Sequence, residues 1–235
     1  MEDFYVKKGI LERCVSEEET VTVPIGVTRI GAEAFLNCAG VKRITLPDTV
    51  TRIEDGAFSG CSALASVNIP KSVTEIGSNA FSKCVSLEAL TVPDSVRTIG
   101  DGAFKSVPES SCIHIDLKFV KQLEAPESKG AWAGAIRGYL TRYYLNKTDE
   151  AEDASWGEYL KQRNESALKL LPKEPLLYRY LTDMGAITYQ RAEKLLDKAA
   201  GSDCKAILLD YANKRKKKER SADEVIDKLF SLDGR

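Results

Sequence analysis

The chain has 235 residues, 43% of them hydrophobic and 29% charged, with a formal net charge of −1. No stretch approaches the roughly 18 uninterrupted apolar residues of a membrane-spanning helix. The six cysteines include no C-x-x-C pair and stand beside a single histidine, so composition argues against a metal centre.

The N-terminal segment "MEDFYVKKGILERC" starts acidic and lacks the run of about 7–15 apolar residues that a secretory signal needs. A cytoplasmic, reducing location with unpaired cysteines is therefore expected. Residues 4–15 read as a hairpin: an alternating strand, a "KKG" turn, then "ILERCV". Residues 1–20 are taken as an N-terminal cap.

From there the chain repeats itself. Phe35, Phe58, Phe81 and Phe104 are 23 residues apart, and each follows an alanine. Pro24, Pro47, Pro70 and Pro93 keep the same step, as do Val27, Val50, Val73 and Val96, and Ile30, Ile53, Ile76 and Ile99. Cys38, Cys61 and Cys84 share one column, with Val107 in the fourth place. A fixed internal period is the signature of a solenoid, in which no unit buries its own apolar face and stacking supplies the core.

Within each unit an alternating triplet precedes the proline: "VTV" at 21–23, "ITL" at 44–46, "VNI" at 67–69, Leu90–Val92 and finally Ile113–Ile115. Period-2 alternation turns the outer two residues inward and the middle one outward. Proline, which cannot donate to a ladder, ends the strand. "SVTEIG" at 72–77 reads as a second extended piece with Val73 and Ile76 inward. Gly31, Gly77 and Gly100 then supply a bend where the second coil has Glu54. The "AFxxC" segment is expected to form a short helical turn that plugs its Phe into the interior. Like residues then stack about 4.8 Å apart, the spacing of neighbouring strands, and the cysteines act as small hydrophobes.

"LASVNIPKSVTEIGSNAFSKC" (64–84) and "LEALTVPDSVRTIGDGAF" (87–104) resemble the BspA-like, treponemal-type leucine-rich repeat family. The resemblance spans about residues 4–117. It implies a right-handed curved solenoid and a protein-interaction role; many members of that family are long surface or secreted proteins.

At Leu117 the character changes. Residues 1–116 carry 11 basic and 16 acidic side chains, whereas 117–235 carry 23 and 19. The remainder reads as helical. In "AWAGAIRGYLTRYYL", Trp132, Ile136, Tyr139, Leu140 and Tyr143 form one stripe at helical spacing. A second helix is expected over 155–171 with Trp156, Leu160, Ala167 and Leu171 inward. "LLYRYLTDMG" ends at Gly185, a C′ residue. Helices near 188–200 and 202–215 follow, separated by Gly201, with Ser202 as the cap of the latter. "SADE" (221–224) is a capping box ahead of "VIDKLF". The fold class is thus α+β: a leucine-rich-repeat solenoid of 23-residue coils over 21–116, then an all-α domain over 117–235.

The candidate site is the outward face of the solenoid's strands, with Thr22, Arg43, Thr45, Asn68, Thr91 and His114 as ligand-binding residues. Small polar side chains obstruct little and leave hydrogen-bonding groups available, although threonine also suits any solvated strand. Cys112 and His114 lie two apart on one strand, about 7 Å by strand rise, which is too far for a nucleophilic pair. No phosphate-binding loop or nucleophile elbow is present. "KRKKKER" (214–220) reads as a solvated charged linker, with nucleic-acid association as the rival reading. The expectation is a non-enzymatic binding module without cofactor or metal. Its partner is a protein or peptide, with carbohydrate as the alternative ligand and nucleic acid and a membrane span disfavoured. A surface adhesion-type protein is the rival function.

Overall fold

The computed structural model describes residues 2–145 and 148–214. The chain divides into two compact units, Met1–Thr148 and Asp149–Arg235. The pattern change at Leu117 lies inside the first, because the helix that follows packs on the last strand of the solenoid.

The first unit is a β-solenoid of about five turns with 23-residue coils. It opens with β1 (Glu2–Lys7) and β2 (Ile10–Ser16), an antiparallel hairpin turned at Lys8 and Gly9 with φ of 51° and 75°. Each coil then contributes one strand to each of two parallel sheets. The first sheet takes the triplets: β3 (Thr20–Thr22), β5 (Arg43–Thr45), β7 (Ser66–Asn68), β9 (Ala89–Thr91) and β11 (Cys112–His114). The second takes the two-residue pieces β4 (Arg29–Ile30), β6 (Arg52–Ile53), β8 (Glu75–Ile76) and β10 (Thr98–Ile99). The hairpin does more than cap this second sheet. β2 occupies the strand position of a further coil, with Leu11 in register with Ile30. The segment lacks the repeat motif, so the sequence hid this.

Alternation works as expected. Val21 and Val23, Ile44 and Leu46, and Ile113 and Ile115 are buried, while Thr22 and Thr45 face out. The four phenylalanines are fully buried, with successive ring centroids 5.1, 5.1 and 5.8 Å apart and nearly parallel. That is offset-stacking range. None of the six cysteines, all of them among the described residues, forms a disulfide. Cys61 and Cys84 are buried, and each thiol donates to a carbonyl of the preceding coil, Phe35 O at 3.1 Å and Phe58 O at 3.3 Å.

The "AFxxC" segment is not a helical turn. It is a run of tight turns in which alternate amides point to the next coil: Glu33, Phe35 and Asn37 donate to Asp55, Ala57 and Ser59, and Gly56, Phe58 and Gly60 to Ser78, Ala80 and Ser82. With every second N–H aimed along the stack, every fourth residue of the segment turns left-handed. Two columns do so: Glu33, Gly56, Asn79 and Gly102, and Asn37, Gly60, Lys83 and Ser106, all with φ between 54° and 75°. These columns mix glycine with larger residues and were therefore invisible as a repeat. A helical turn would have left those inter-coil bonds unmade in the interior.

Gly31, Gly77 and Gly100 do not bend the chain through a left-handed conformation; none has positive φ. They are glycine because the preceding coil passes too close. A Cβ on Gly77 would stand 2.6 Å from the Glu54 carbonyl carbon. Glu54 occupies the same column with its side chain swung back over the first coil, accepting from Ala32 N at 3.2 Å and pairing with Arg29 at 3.3 Å.

After a short helix α1 (Leu117–Val120) and two 3₁₀ turns, α2 (Lys129–Tyr144) closes the stack. Trp132, Ile136, Tyr139 and Leu140 are buried as the stripe predicts, but Tyr143 is half-buried. The seating surface is a second stripe, Gly130, Gly134 and Gly138. A Cβ on Gly130 or Gly138 would collide with the carbonyl of Val107 or Ile113. Arg137 clamps the helix by donating to Glu109 O at 2.6 Å and Ser111 O at 2.8 Å.

In the second unit α3 (Glu150–Leu170) starts earlier than expected, because the Asp149 carboxylate caps it by accepting from Glu152 N at 2.8 Å. Trp156, Leu160, Ala167 and Leu171 are buried. α4 (Pro175–Asp183) leads to Gly185 at φ 67°. α5 (Tyr189–Leu196) is capped by Thr188 and stops short of the expected 200, where the chain turns so that Ala200 N reaches Pro172 O. Residues 202–214 form α6. Ser202 is not its cap: its hydroxyl bonds Asp203, and Gly201 O accepts the first helical amide, from Lys205. The capping box at 221–224, and all of "KRKKKER" beyond Lys214, lie outside the described residues. Lys214 itself pairs with Asp210 at 2.6 Å.

Candidate functional site

The strand register sets the predicted residues on one face in two columns. Thr20, Arg43, Ser66, Ala89 and Cys112 follow one another across the five strands, and beside them Thr22 is in register with Thr45, Thr45 with Asn68, and Thr91 with His114. The buried triplet residues behind them hold the strands, so the outward side chains sit on a rigid backing.

The six predicted residues fall into two groups. Thr22, Arg43 and Thr45 are exposed, and among the described residues their side-chain polar groups have no hydrogen-bond or ion-pair partner. The other three are engaged. The Asn68 amide lies along the neighbouring coil, where its Oδ1 accepts from Leu46 N at 2.7 Å and its Nδ2 donates to Leu46 O at 3.2 Å. In the first and fourth coils that backbone amide goes to a strand carbonyl, Val23 N to Thr45 O and Val92 N to His114 O. Asn68 therefore patches a local opening in the ladder. Thr91 Oγ1 lies 3.4 Å from His114 Nδ1.

At the last strand the expected separation fails. Cys112 Sγ is 3.7 Å from His114 Nε2, within sulfur hydrogen-bond reach. The spacing from strand rise applies to Cα positions; the imidazole is long enough to fold back along the strand toward the sulfur. Gly138 of α2 makes room for it, since a Cβ there would stand 2.9 Å from His114 Cδ2.

Among the described residues no group of three or more His, Cys, Asp or Glu side chains is placed to hold a metal ion. None of the described helices is long and apolar enough to cross a membrane. Sequence reasoning missed a groove of about 660 Å³ in the helical unit, where Leu168, Pro172 and Tyr178 meet Lys169, Lys194 and Lys198. Its cations come from α3, from α5 and from the turn that follows α5, so no run of charge marked it.

Two parallel sheets closing a stack of identical coils, capped at both ends, define a leucine-rich-repeat solenoid. The family model for the BspA type leucine rich repeat region matches six copies over residues 6–124, half of the chain, and the protein belongs to that family. Six copies exceed the four full coils counted by motif, in keeping with partial coils at each end. Among solved structures, a leucine rich cell surface protein from Faecalibacterium prausnitzii is 26% identical over 51% of this chain and 38% of its own, with a TM-score of 0.41. A leucine-rich repeat protein from Bacteroides capillosus is 24% identical over 49% of this chain and 92% of its own, with a TM-score of 0.41. The leucine rich repeat protein of T. pallidum is 24% identical over 48% and 68%, at 0.39. The chain thus spans under two-fifths of the first of these proteins. No curated protein matches it.

Proposed function

We propose that the five-stranded face is a docking surface for a protein or extended peptide, centred on Thr22, Arg43 and Thr45. The observation that carries this reading is the contrast among the six: these three are exposed and unspent, while Asn68, Thr91 and His114 are tied into the fold. A ligand that bonds Thr22 and Thr45 breaks no internal bond to do so. Arg43, which has no carboxylate of its own, would take an acidic or carbonyl group, and its fork suits two acceptors at once. Repeat proteins of this family are generally non-enzymatic, which fits a surface that recognises rather than reacts. The same unspent hydroxyls suit carbohydrate as the alternative ligand.

Affinity capture from the source cells, with a Thr22→Arg, Arg43→Glu, Thr45→Arg variant as control, tests the surface. Partners held by the original chain and lost by the variant support it; identical partners from both exclude it. Protease treatment of intact source cells separates the two placements. A protected chain is cytoplasmic, and a cleaved one stands on the cell surface.

A further inference from the structure

We propose that Cys112, with His114 and Thr91, forms a reactive-thiol site that accepts a mixed disulfide from a small disulfide of the glutathione class. The inference does not rest on the docking reading. It rests on a nucleophile and a base within hydrogen-bond reach, with the base oriented by a third group, which is the arrangement that activates a thiol.

The three side chains are brought together by separate parts of the fold. β11 supplies Cys112 and His114, and the adjacent coil supplies Thr91. The 3.4 Å contact between Thr91 Oγ1 and His114 Nδ1 orients the ring, and the 3.7 Å contact places Nε2 at the sulfur. With Nδ1–H donating to Thr91 Oγ1, the Nε2 lone pair faces the thiol. Gly138 keeps the ring in that pose by leaving its Cδ2 edge unobstructed.

The other cysteines are unsuited. Cys14, Cys61, Cys84 and Cys204 are buried. Cys38 is half-buried, its thiol donates to Cys14 O at 3.8 Å, and burial raises its pKa. Cys112 is half-buried like Cys38, but it is the thiol with an imidazole beside it.

In the step, the Cys112 proton passes to His114 Nε2 and the thiolate attacks one sulfur of the disulfide. The Cys112 Sγ–S bond forms as the reagent's S–S bond breaks. The released half leaves as a thiolate and takes the proton from His114. Cys112 is thereby oxidised, and the departing half is reduced to its thiol. A thiolate, not a thiol, is the attacking species.

The test incubates the full chain with oxidised glutathione at neutral pH and maps adducts by peptide mass spectrometry. The adduct is expected on Cys112, forming faster than on an unstructured cysteine peptide, and absent in Cys112→Ser. His114→Gln, which keeps a hydrogen-bonding side chain but removes the base, is expected to slow it about tenfold or more. Thr91→Val slows it less, and Thr91→Ser, which restores the hydroxyl, recovers the rate. Near-ultraviolet circular dichroism checks that each variant is folded; should His114→Gln not fold, the Thr91 pair and the comparison with the free peptide still decide. An adduct on another cysteine, a rate no greater than the peptide's, or folded variants that react unchanged would overturn the proposal.

Discussion

In the solenoid the neighbour of each core side chain is its own counterpart one coil away; in the helical unit every neighbour is a different residue. Phe58 lies between Phe35 and Phe81 at 5.1 Å on each side. Trp156 meets Tyr159 edge-on at 5.8 Å, and Met184 fills the space over Gly157. The first arrangement multiplies one solution, so an error in one coil is felt in the coils beside it. The second is a set of local solutions, two of the helices closed by a side-chain cap of their own: Asp149 on α3 and Thr188 on α5.

The largest expected effect is on the stack. Phe58→Ala removes a ring packed on both faces and should cost about 3–5 kcal/mol in chemical denaturation. A cost near that of a single exposed side chain would mean that the rings do not share one core. The next effect is on alkaline stability. Burial pushes the Cys84 thiol from its ordinary 9.0 up to about 12, and burial followed by the neighbouring Cys84 thiol pushes Cys61 higher still. Both groups favour the folded state while neutral. Their contribution is fully present below pH 9 and is lost as pH rises from there toward the folded values, because only the unfolded chain ionises readily. Melting followed across that window should show a decline that Cys84→Ala reduces.

Smaller effects separate the coils from their closure. Gly138→Ala drives a methyl into the Ile113 carbonyl and should cost about 1–3 kcal/mol by displacing α2. Asn68→Ala strands the Leu46 amide at a cost of about 1–2 kcal/mol; Asn68→Thr, which restores the residue of that column, should cost less in the same denaturation experiment. Smallest is a gain: Lys83→Gly, at φ 60°, should stabilise by about 0.5–1 kcal/mol, the left-handed strain relieved less the added freedom of the unfolded chain.

Legibility in the sequence followed the same contrast. Columns built from one residue type, such as phenylalanine, cysteine, proline and inward valine, announce themselves, and the inward and outward faces could be assigned from them. Columns defined by backbone conformation do not. Glu33, Gly56, Asn79 and Gly102 share a left-handed φ while sharing no chemistry. β2 fills a coil position through register alone. Within the candidate site the face was readable because its residues sit at triplet centres. That Asn68 is spent on Leu46, and that the His114 ring folds back on Cys112, depend on side-chain rotamers and on α2, which no strand periodicity encodes. In the helical unit, apolar stripes were visible but ends were not, because caps such as Asp149 act through single hydrogen bonds.

Amide hydrogen exchange resolved by residue probes the stacked architecture most directly. The amides of Phe35, Phe58 and Phe81, and of Asn37, Gly60 and Lys83, each donate to the coil ahead at 2.7–2.9 Å although they sit in turns. They should exchange as slowly as the strand amides of Ile53 and Ile76. Exchange at the rate of exposed loops would show that the coils are not bonded to one another along that side, and the continuous ladder would be contradicted.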